Sequence, residues 1–213
     1  MPELLRKIIN DHTLYAVWKI SESVGQLQSA INLREREEHL YRSFVAESRQ
    51  KQWLAYRILI RELLKPEDFP VEYDATGKPY LAGSDFHISV THTDDLAAVI
   101  ISRYARVGID IEKIKPRIEK VRDKFLNQEE ESLIGNDREL EQLTLAWCAK
   151  EALYKLFGVK NLDFRENMLV EIPPQAGMMF NALIRFSGKS HVYRLHSKLI
   201  GSYVLVYLMD PAI

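Results

Sequence analysis

The hexapeptide Val-Gly-Ile-Asp-Ile-Glu at residues 107–112 is the part of the sequence that most clearly predicts the fold. Its apolar and acidic residues alternate, which is the pattern of a β-strand with one buried face. On such a strand Asp110 and Glu112 lie on the same side, with Cα atoms about 6.5–7 Å apart. Adjacent carboxylates repel each other, so the pair predicts either a bound hard cation such as Mg²⁺ or an exposed edge strand with two solvated acids.

Helices and strands are interspersed on both sides of this segment. The pattern predicts further strands at 13–20, 86–91, 96–102, 168–172, 180–186, 191–196 and 202–209, and helices at 27–44, 47–64, 118–125, 128–134 and 140–157. Because the connections between the late strands are too short for crossover helices, we predict an α+β fold with largely antiparallel sheets. The best place to divide the chain is near residue 105, which gives subdomains 1–105 and 106–213.

The composition is that of a soluble globular protein. The 213 residues are 46% hydrophobic and 28% charged, with a net charge of −1, which disfavours disorder and a bulk electrostatic grip on nucleic acid. A single cysteine, Cys148, excludes an internal disulfide and a multi-cysteine zinc site. The longest apolar runs, 96–101 and 203–209, are much shorter than the ~18–20 residues that span a bilayer. We therefore expect a cytoplasmic protein that binds neither membrane nor nucleic acid.

The predicted helix at 140–157 carries an acid on its apolar face. Residues at helical spacing form one stripe, which consists of Leu140, Leu143, Trp147, Glu151 and Tyr154. Burying Glu151 there is unfavourable unless the carboxylate is paired or binds a metal. A salt bridge between Glu151 and Lys155, one turn further along the helix, is the alternative interpretation.

Basic residues of the first half could bind an extended anion. Residues 34–61 contain seven Lys and Arg but only four Glu. On a helix, Arg49 and Arg57 would be about 12 Å apart along the axis, and the planar guanidinium of arginine suits phosphate. A solvated helix surface is the alternative. His92, between two threonines, could donate to a phosphate or serve as a structural hydrogen-bonding group, and Lys78 lies in a Gly-Lys-Pro turn.

In combination, these motifs resemble the 4′-phosphopantetheinyl transferase superfamily, and more closely its longer, surfactin-synthetase-activating type than its short trimeric carrier-protein synthases. The motifs that carry the resemblance are, in chain order, Arg49 and Arg57, Gly-Lys-Pro at 77–79, Thr-His-Thr at 91–93, Gly-Ile-Asp-Ile-Glu at 108–112, Phe125 with Glu130, and Trp-Cys-Ala-Lys-Glu-Ala at 147–152 with Lys155. They extend from about residue 49 to 155. Thr-His-Thr replaces the common Ser-His-Ser, and Gln52 stands at the position of a surfactin-type arginine.

The resemblance implies an enzyme that moves the 4′-phosphopantetheine arm of coenzyme A to a serine of an apo acyl or peptidyl carrier protein. Adenosine 3′,5′-bisphosphate would be released, and magnesium, or manganese, would be the cofactor. It also implies a monomer of two similar α/β subdomains related by a pseudo-twofold, with coenzyme A in the cleft between them. Because carrier proteins of this kind are acidic, a basic or apolar rim is expected. A non-catalytic module of the same fold that binds coenzyme A or a nucleotide is the alternative.

The resemblance also assigns roles to individual residues. It implies Asp110, Glu112 and Glu151 as magnesium ligands, Lys155 and Lys150 as catalytic lysines near the phosphates, Arg49, Arg57, Lys78 and His92 around the 3′-phosphate and adenine, and Glu130 as the base for the serine hydroxyl. Three glutamates follow one another at this point, so Glu129 and Glu131 stay open as alternatives for the base. Subdomain 1–105 would hold the 3′-phosphate and adenine, and subdomain 106–213 the metal and the catalytic groups.

Overall fold

The computed structural model describes residues 3–159 and 162–211. The chain divides into two compact units, with the boundary between Tyr104 and Ala105. Both units combine antiparallel strands with one long helix. This confirms the predicted α+β class with largely antiparallel sheets. None of the helices in the described part of the chain is long and apolar enough to cross a membrane.

The first unit is a four-stranded antiparallel sheet that packs on a long helix. Its elements are β1 (Glu3–Asn10), β2 (Thr13–Lys19), α1 (Val24–Ser29), α2 (Glu35–Arg42), α3 (Glu47–Leu64), β3 (Val71–Tyr73), β4 (Pro79–Leu81), β5 (His87–His92) and β6 (Leu96–Ser102). The sheet order is β1-β2-β6-β5, and β3 and β4 form a separate hairpin. Trp53, Leu54 and Ile60 of α3 pack with Trp18 and Val99 of the sheet in one hydrophobic core.

The predicted helix at 27–44 is wrong, because the segment forms two short helices. Ser23 caps α1 through a capping box with Gln26, which starts that helix earlier than the apolar pattern indicates. A second start follows at Arg34, whose backbone N–H donates to Glu37 Oε2 at 3.1 Å. Local polar caps therefore override the helical spacing of the apolar residues.

The second unit is a five-stranded antiparallel sheet covered by a central helix. Its elements are β7 (Ala105–Lys113), a 3₁₀ helix (Pro116–Lys124), α4 (Gln128–Glu131), a 3₁₀ turn (Asn136–Arg138), α5 (Glu139–Phe157), α6 (Phe164–Asn167), β8 (Met168–Val170), β9 (Met179–Phe186), β10 (Lys189–Ile200) and β11 (Tyr203–Pro211). The order is β7-β11-β10-β9-β8. Gly158 ends α5 with a φ of 64°, a left-handed conformation that glycine adopts without strain.

Candidate functional site

The candidate site of the second unit starts where β7 meets α5, at Gly108. A Cβ atom at this position would lie 2.1 Å from the carbonyl oxygen of Ala152 and 2.9 Å from Cδ2 of Leu208. The strand therefore lies directly against the helix backbone, at a distance that any side chain at residue 108 would prevent. Because Glu151 directly precedes Ala152, this close contact brings the acids of β7 and the acid of α5 into the same region.

Lys155 joins the two elements through Asp110. Its Nζ donates to Asp110 Oδ1 at 2.6 Å and to the carbonyl oxygen of Ile109 at 3.1 Å. The Asp110 residue is buried, whereas Glu112 is partly exposed and has Arg117 at 4.0 Å. The aspartate thus pairs with a lysine that lies 45 positions away in the sequence.

Glu151 lies within electrostatic reach of the two acids on β7. Burial raises the pKa of its carboxyl to about 7, and the charge of Asp110 acts in the same direction. Lys155 lowers this pKa and Glu112 raises it further. Glu151 therefore lies within electrostatic range of Asp110 and Glu112, the other two acids that the resemblance assigned to a metal, and the negative charges of these acids oppose ionisation of Glu151.

The chemistry of these three acids fits a hard divalent cation, which prefers carboxylate oxygens. A cation would oppose the burial and the neighbouring negative charges that raise the pKa of Glu151. Within residues 3–159 and 162–211, no three His, Cys, Asp or Glu side chains are gathered closely enough to hold a metal ion. Instead, the amine of Lys155 provides the positive charge beside Asp110.

Lys150 and Glu130 form a second charge pair, in the interior of the unit. Both side chains are 0% exposed, and Lys150 Nζ lies 2.6 Å from Glu130 Oε2. Burial lowers the pKa of Lys150, and the charge of Glu130 opposes this effect. Glu129 and Glu131 of the same short helix are exposed, and Glu131 pairs with Arg122. The structure thus places the residue predicted as the base away from solvent.

In the first unit, two of the residues predicted to bind coenzyme A come into contact. Arg49 in the first turn of α3 bonds through Nη1 to Nε2 of His92, at the end of β5, at 2.5 Å. The Arg49 guanidinium also lies 5.4 Å from the centre of the Phe44 ring. Gln52 donates to the carbonyl oxygen of Thr93 at 3.2 Å, which ties the same helix turn to the same strand end.

Arg57 differs from the expectation that it faces a ligand. It is 1% exposed, its Nε donates to Glu37 Oε1 at 3.3 Å, and its guanidinium lies 3.5 Å from the centre of the Trp53 ring. Tyr56 and Tyr73 accept from the same guanidinium. These contacts make Arg57 part of the core of the first unit. Its sequence neighbours on the apolar stripe of α3 already indicate burial, since Trp53 precedes it by one helical turn.

Lys78 lies in the turn between β3 and β4, which the sequence predicted. Asp74 organises this turn, because its Oδ1 accepts from the backbone N–H groups of Thr76 and Lys78 at 2.8 and 3.0 Å. Gly77 takes a φ of 87°, a left-handed conformation that favours glycine.

A groove of about 750 Å³ in the second unit was not predicted as a site. Cationic side chains surround it, namely Lys113, Lys115, Arg117, Lys120 and Lys124, and its apolar lining is Ile118, Val121, Trp147, Leu162 and Phe164. Glu112, a member of the acidic cluster of Asp110, Glu112 and Glu151, is also part of the lining, as is Asp163. The sequence does contain a signal for this basic groove, because residues 113–124 include six Lys and Arg but only two acidic residues.

Comparisons with known proteins identify one family that is similar to this chain. A model of the 4′-phosphopantetheinyl transferase superfamily matches residues 106–208. The 4′-phosphopantetheinyl transferase AcpT of Salmonella typhimurium is 32% identical over 116 residues, which are 52% of this chain and 60% of the relative. AcpT of Escherichia coli K12 is 30% identical over 116 residues, with 52% and 59% covered. The 4′-phosphopantetheinyl transferase psf-1 of Bacillus pumilus is 27% identical over 147 residues, with 64% and 62% covered.

The matched part of the chain spans less than two thirds of the length of each of these relatives. The family match falls entirely within the unit that holds Asp110, Glu151 and Lys155, and it includes the Gly108 contact between β7 and α5. Over residues 106–208 the chain therefore matches the 4′-phosphopantetheinyl transferase superfamily, the family that the sequence motifs predicted.

Proposed function

We propose that this protein transfers the 4′-phosphopantetheine arm of coenzyme A to a serine hydroxyl of an apo acyl or peptidyl carrier protein and releases adenosine 3′,5′-bisphosphate. One observation carries the proposal. Lys155 of α5 pairs with Asp110 of β7, and Glu151 of α5 lies within electrostatic range of Asp110 and Glu112, in the part of the chain that matches the superfamily. A pure binding module would not need this set of three acids beside a lysine.

Asp110, Glu112 and Glu151 would hold a magnesium ion, or manganese in its place. When bound, such an ion neutralises charge on the diphosphate oxygens and polarises the leaving phosphate. The negative charges of Asp110 and Glu112 act on Glu151 and support this assignment, because a cation among them would favour the ionised form of all three carboxylates.

The remaining groups act on the phosphates and the adenosine end of coenzyme A. Lys155, whose Nζ lies at Asp110, would stabilise negative charge that develops on the phosphate oxygens during transfer. Arg49 and His92 would bind the 3′-phosphate, since an arginine fork suits phosphate and the two side chains already lie together. Lys78, in its ordered turn, would add charge on the same side of the substrate.

The carrier protein would dock on the groove formed by residues 113–124 and their neighbours. Five cations around an apolar lining complement an acidic partner with a few exposed apolar side chains. Glu112 is part of both the acidic cluster and the groove, so a serine presented there would lie near the proposed metal site. The nucleophile would then be the serine hydroxyl of the partner.

The function is tested by incubation with coenzyme A, Mg²⁺ and a panel of apo-carrier proteins, followed by intact-mass measurement. We expect at least one carrier to gain the mass of one phosphopantetheine arm with stoichiometric release of adenosine 3′,5′-bisphosphate. The same carrier with its acceptor serine changed to alanine is the control and should gain no mass. Binding of coenzyme A in calorimetry without mass gain on any carrier would favour the non-catalytic module instead.

Removal of Arg49 should weaken binding of the 3′-phosphate specifically. A charge-assisted hydrogen bond contributes ~1.5–3 kcal/mol, and tenfold in affinity corresponds to about 1.4 kcal/mol. We therefore expect Arg49→Ala to raise the KM for coenzyme A by about 10- to 100-fold and to leave the KM for 3′-dephospho-coenzyme A nearly unchanged. Arg36→Ala, which removes an exposed arginine of α2, is the matched control. Equal effects on both substrates would contradict the assignment.

A further inference from the structure

Glu130 and Lys150 form a buried ion pair. The reaction proposed above uses neither Glu130 as a general base nor Lys150 as a phosphate ligand. We propose that these two residues position α5, and with it Glu151, and that neither touches the reacting atoms. This inference rests on the proposed function, because it concerns how the same site is assembled. It also replaces the catalytic roles that the resemblance implied for both residues.

The ammonium group of Lys150 has all its donors in use within the protein. Its Nζ lies 2.6 Å from Glu130 Oε2, 2.6 Å from the carbonyl oxygen of Phe125 and 2.8 Å from that of Phe164. A lysine has three N–H donors, and these three acceptors employ them all. The side chain is 0% exposed. A phosphate oxygen could bind Lys150 only by displacing one of these partners and entering the core.

Both oxygens of Glu130 are occupied as well. Oε1 accepts from the backbone N–H of Val170 at 2.8 Å. Oε2 accepts from the backbone N–H of Asn127 at 3.0 Å and from Lys150. A general base has to come within hydrogen-bonding reach of the proton that it removes. A serine on a separate carrier protein cannot reach a carboxylate that is 0% exposed and enclosed by its own chain.

The pair links α5 to four other segments at the residue that precedes Glu151. Through Glu130 it contacts α4 and the strand β8, and through Lys150 it contacts the end of the 3₁₀ segment at Phe125 and the helix α6 at Phe164. Groups that orient metal-binding residues from behind are known to affect metal affinity and activity by ~10- to 100-fold. The Glu130–Lys150 pair has the connections that such a role requires.

The test uses single variants and a charge-balanced double variant. Loss of one partner leaves a buried charge unpaired, whereas replacement of both by neutral groups is often tolerated. We therefore expect Glu130→Gln and Lys150→Met each to lower kcat and to weaken Mn²⁺ binding, measured by electron paramagnetic resonance, by about 10- to 100-fold. The double variant Glu130→Gln/Lys150→Met should recover both quantities by at least about tenfold relative to the single variants.

The two roles predict opposite results for the double variant. If Glu130 removes the serine proton itself, the double variant stays as slow as Glu130→Gln while Mn²⁺ binds normally, and that outcome overturns the proposal. Unchanged kcat and Mn²⁺ affinity in folded single variants would overturn it also, because the pair would then only stabilise the fold. Circular dichroism at the assay temperature establishes that each variant is folded. Failure of mass transfer by the wild-type protein would instead contradict the proposed function.

A second measurement uses the wild-type protein and does not depend on the folding of variants. Acetylation of lysines by an N-hydroxysuccinimide ester, followed by peptide mass analysis, should leave Lys150 unmodified with and without coenzyme A. Lys155, which is 25% exposed, should be modified and then protected by coenzyme A. Modification of Lys150 that coenzyme A prevents would show that this lysine meets the substrate directly, contrary to the proposal.

Discussion

Asp110→Asn is expected to lower the rate of phosphopantetheine transfer by about 10³-fold or more. The substitution removes one of the three carboxylates proposed to hold the metal and leaves the amine of Lys155 beside a neutral amide. Metal-ion catalysis contributes several kcal/mol to such reactions, and each 1.36 kcal/mol corresponds to about tenfold in rate. The measurements are kcat at saturating Mg²⁺ by intact mass and Mn²⁺ affinity by electron paramagnetic resonance.

The variant should remain folded, because Asp110 contributes to the repulsion that raises the pKa of Glu151. Removal of its charge relieves part of that repulsion and offsets the loss of the contact with Lys155. Asp137→Asn removes an exposed acid of the same unit and serves as the control, with kcat expected to stay near the wild-type value. Wild-type transfer and wild-type Mn²⁺ affinity in Asp110→Asn would show that the metal site lies elsewhere.

The sequence was sufficient to predict the two elements that carry this site. Alternation of apolar and acidic residues predicted the strand 107–112, which lies within Ala105–Lys113. Helical spacing and Gly158 predicted 140–157, and the helix extends from Glu139 to Phe157. Both elements could be predicted because their signals lie in consecutive residues, and because each element packs an apolar face into a core, which produces the periodic pattern. The convergence of Asp110 and Glu151 was implied only by the family resemblance, because no local pattern encodes a contact between residues 41 positions apart.

The exposure of charged residues was the least predictable property. Arg57 and Glu130 have side chains that suit both a ligand and a buried ion pair, and their partners Glu37 and Lys150 lie 20 residues away in the sequence. The position of a charged residue on the apolar stripe of a helix is the signal that distinguishes a buried side chain from one that faces a ligand. It indicated burial of Glu151, and the same criterion, applied to α3 with Trp53 one turn before Arg57, indicates burial of that arginine too.

Gly108→Ala is expected to reduce kcat by about 10²-fold, although the substitution adds one methyl group. That methyl would lie 2.1 Å from the carbonyl oxygen of Ala152, so β7 and α5 have to separate. A misplacement of ~1 Å in a catalytic arrangement can lower the rate by about 10²-fold. Since Asp110 and Glu151 belong to the two elements that separate, Mn²⁺ affinity should fall with kcat. Gly135→Ala is the matched control, because its nearest neighbour would lie at an ordinary 3.5 Å.

A double variant identifies which contact matters. The side chain of Leu208 would lie 2.9 Å from the added methyl, but it can be shortened, whereas the carbonyl of Ala152 belongs to the helix backbone and cannot. Gly108→Ala/Leu208→Ala should therefore stay as slow as Gly108→Ala. Recovery in the double variant would mean that side-chain crowding against β11, and not the distance between strand and helix, limits residue 108 to glycine. The spacing of β7 and α5 would then not be what sets the position of Glu151 relative to Asp110.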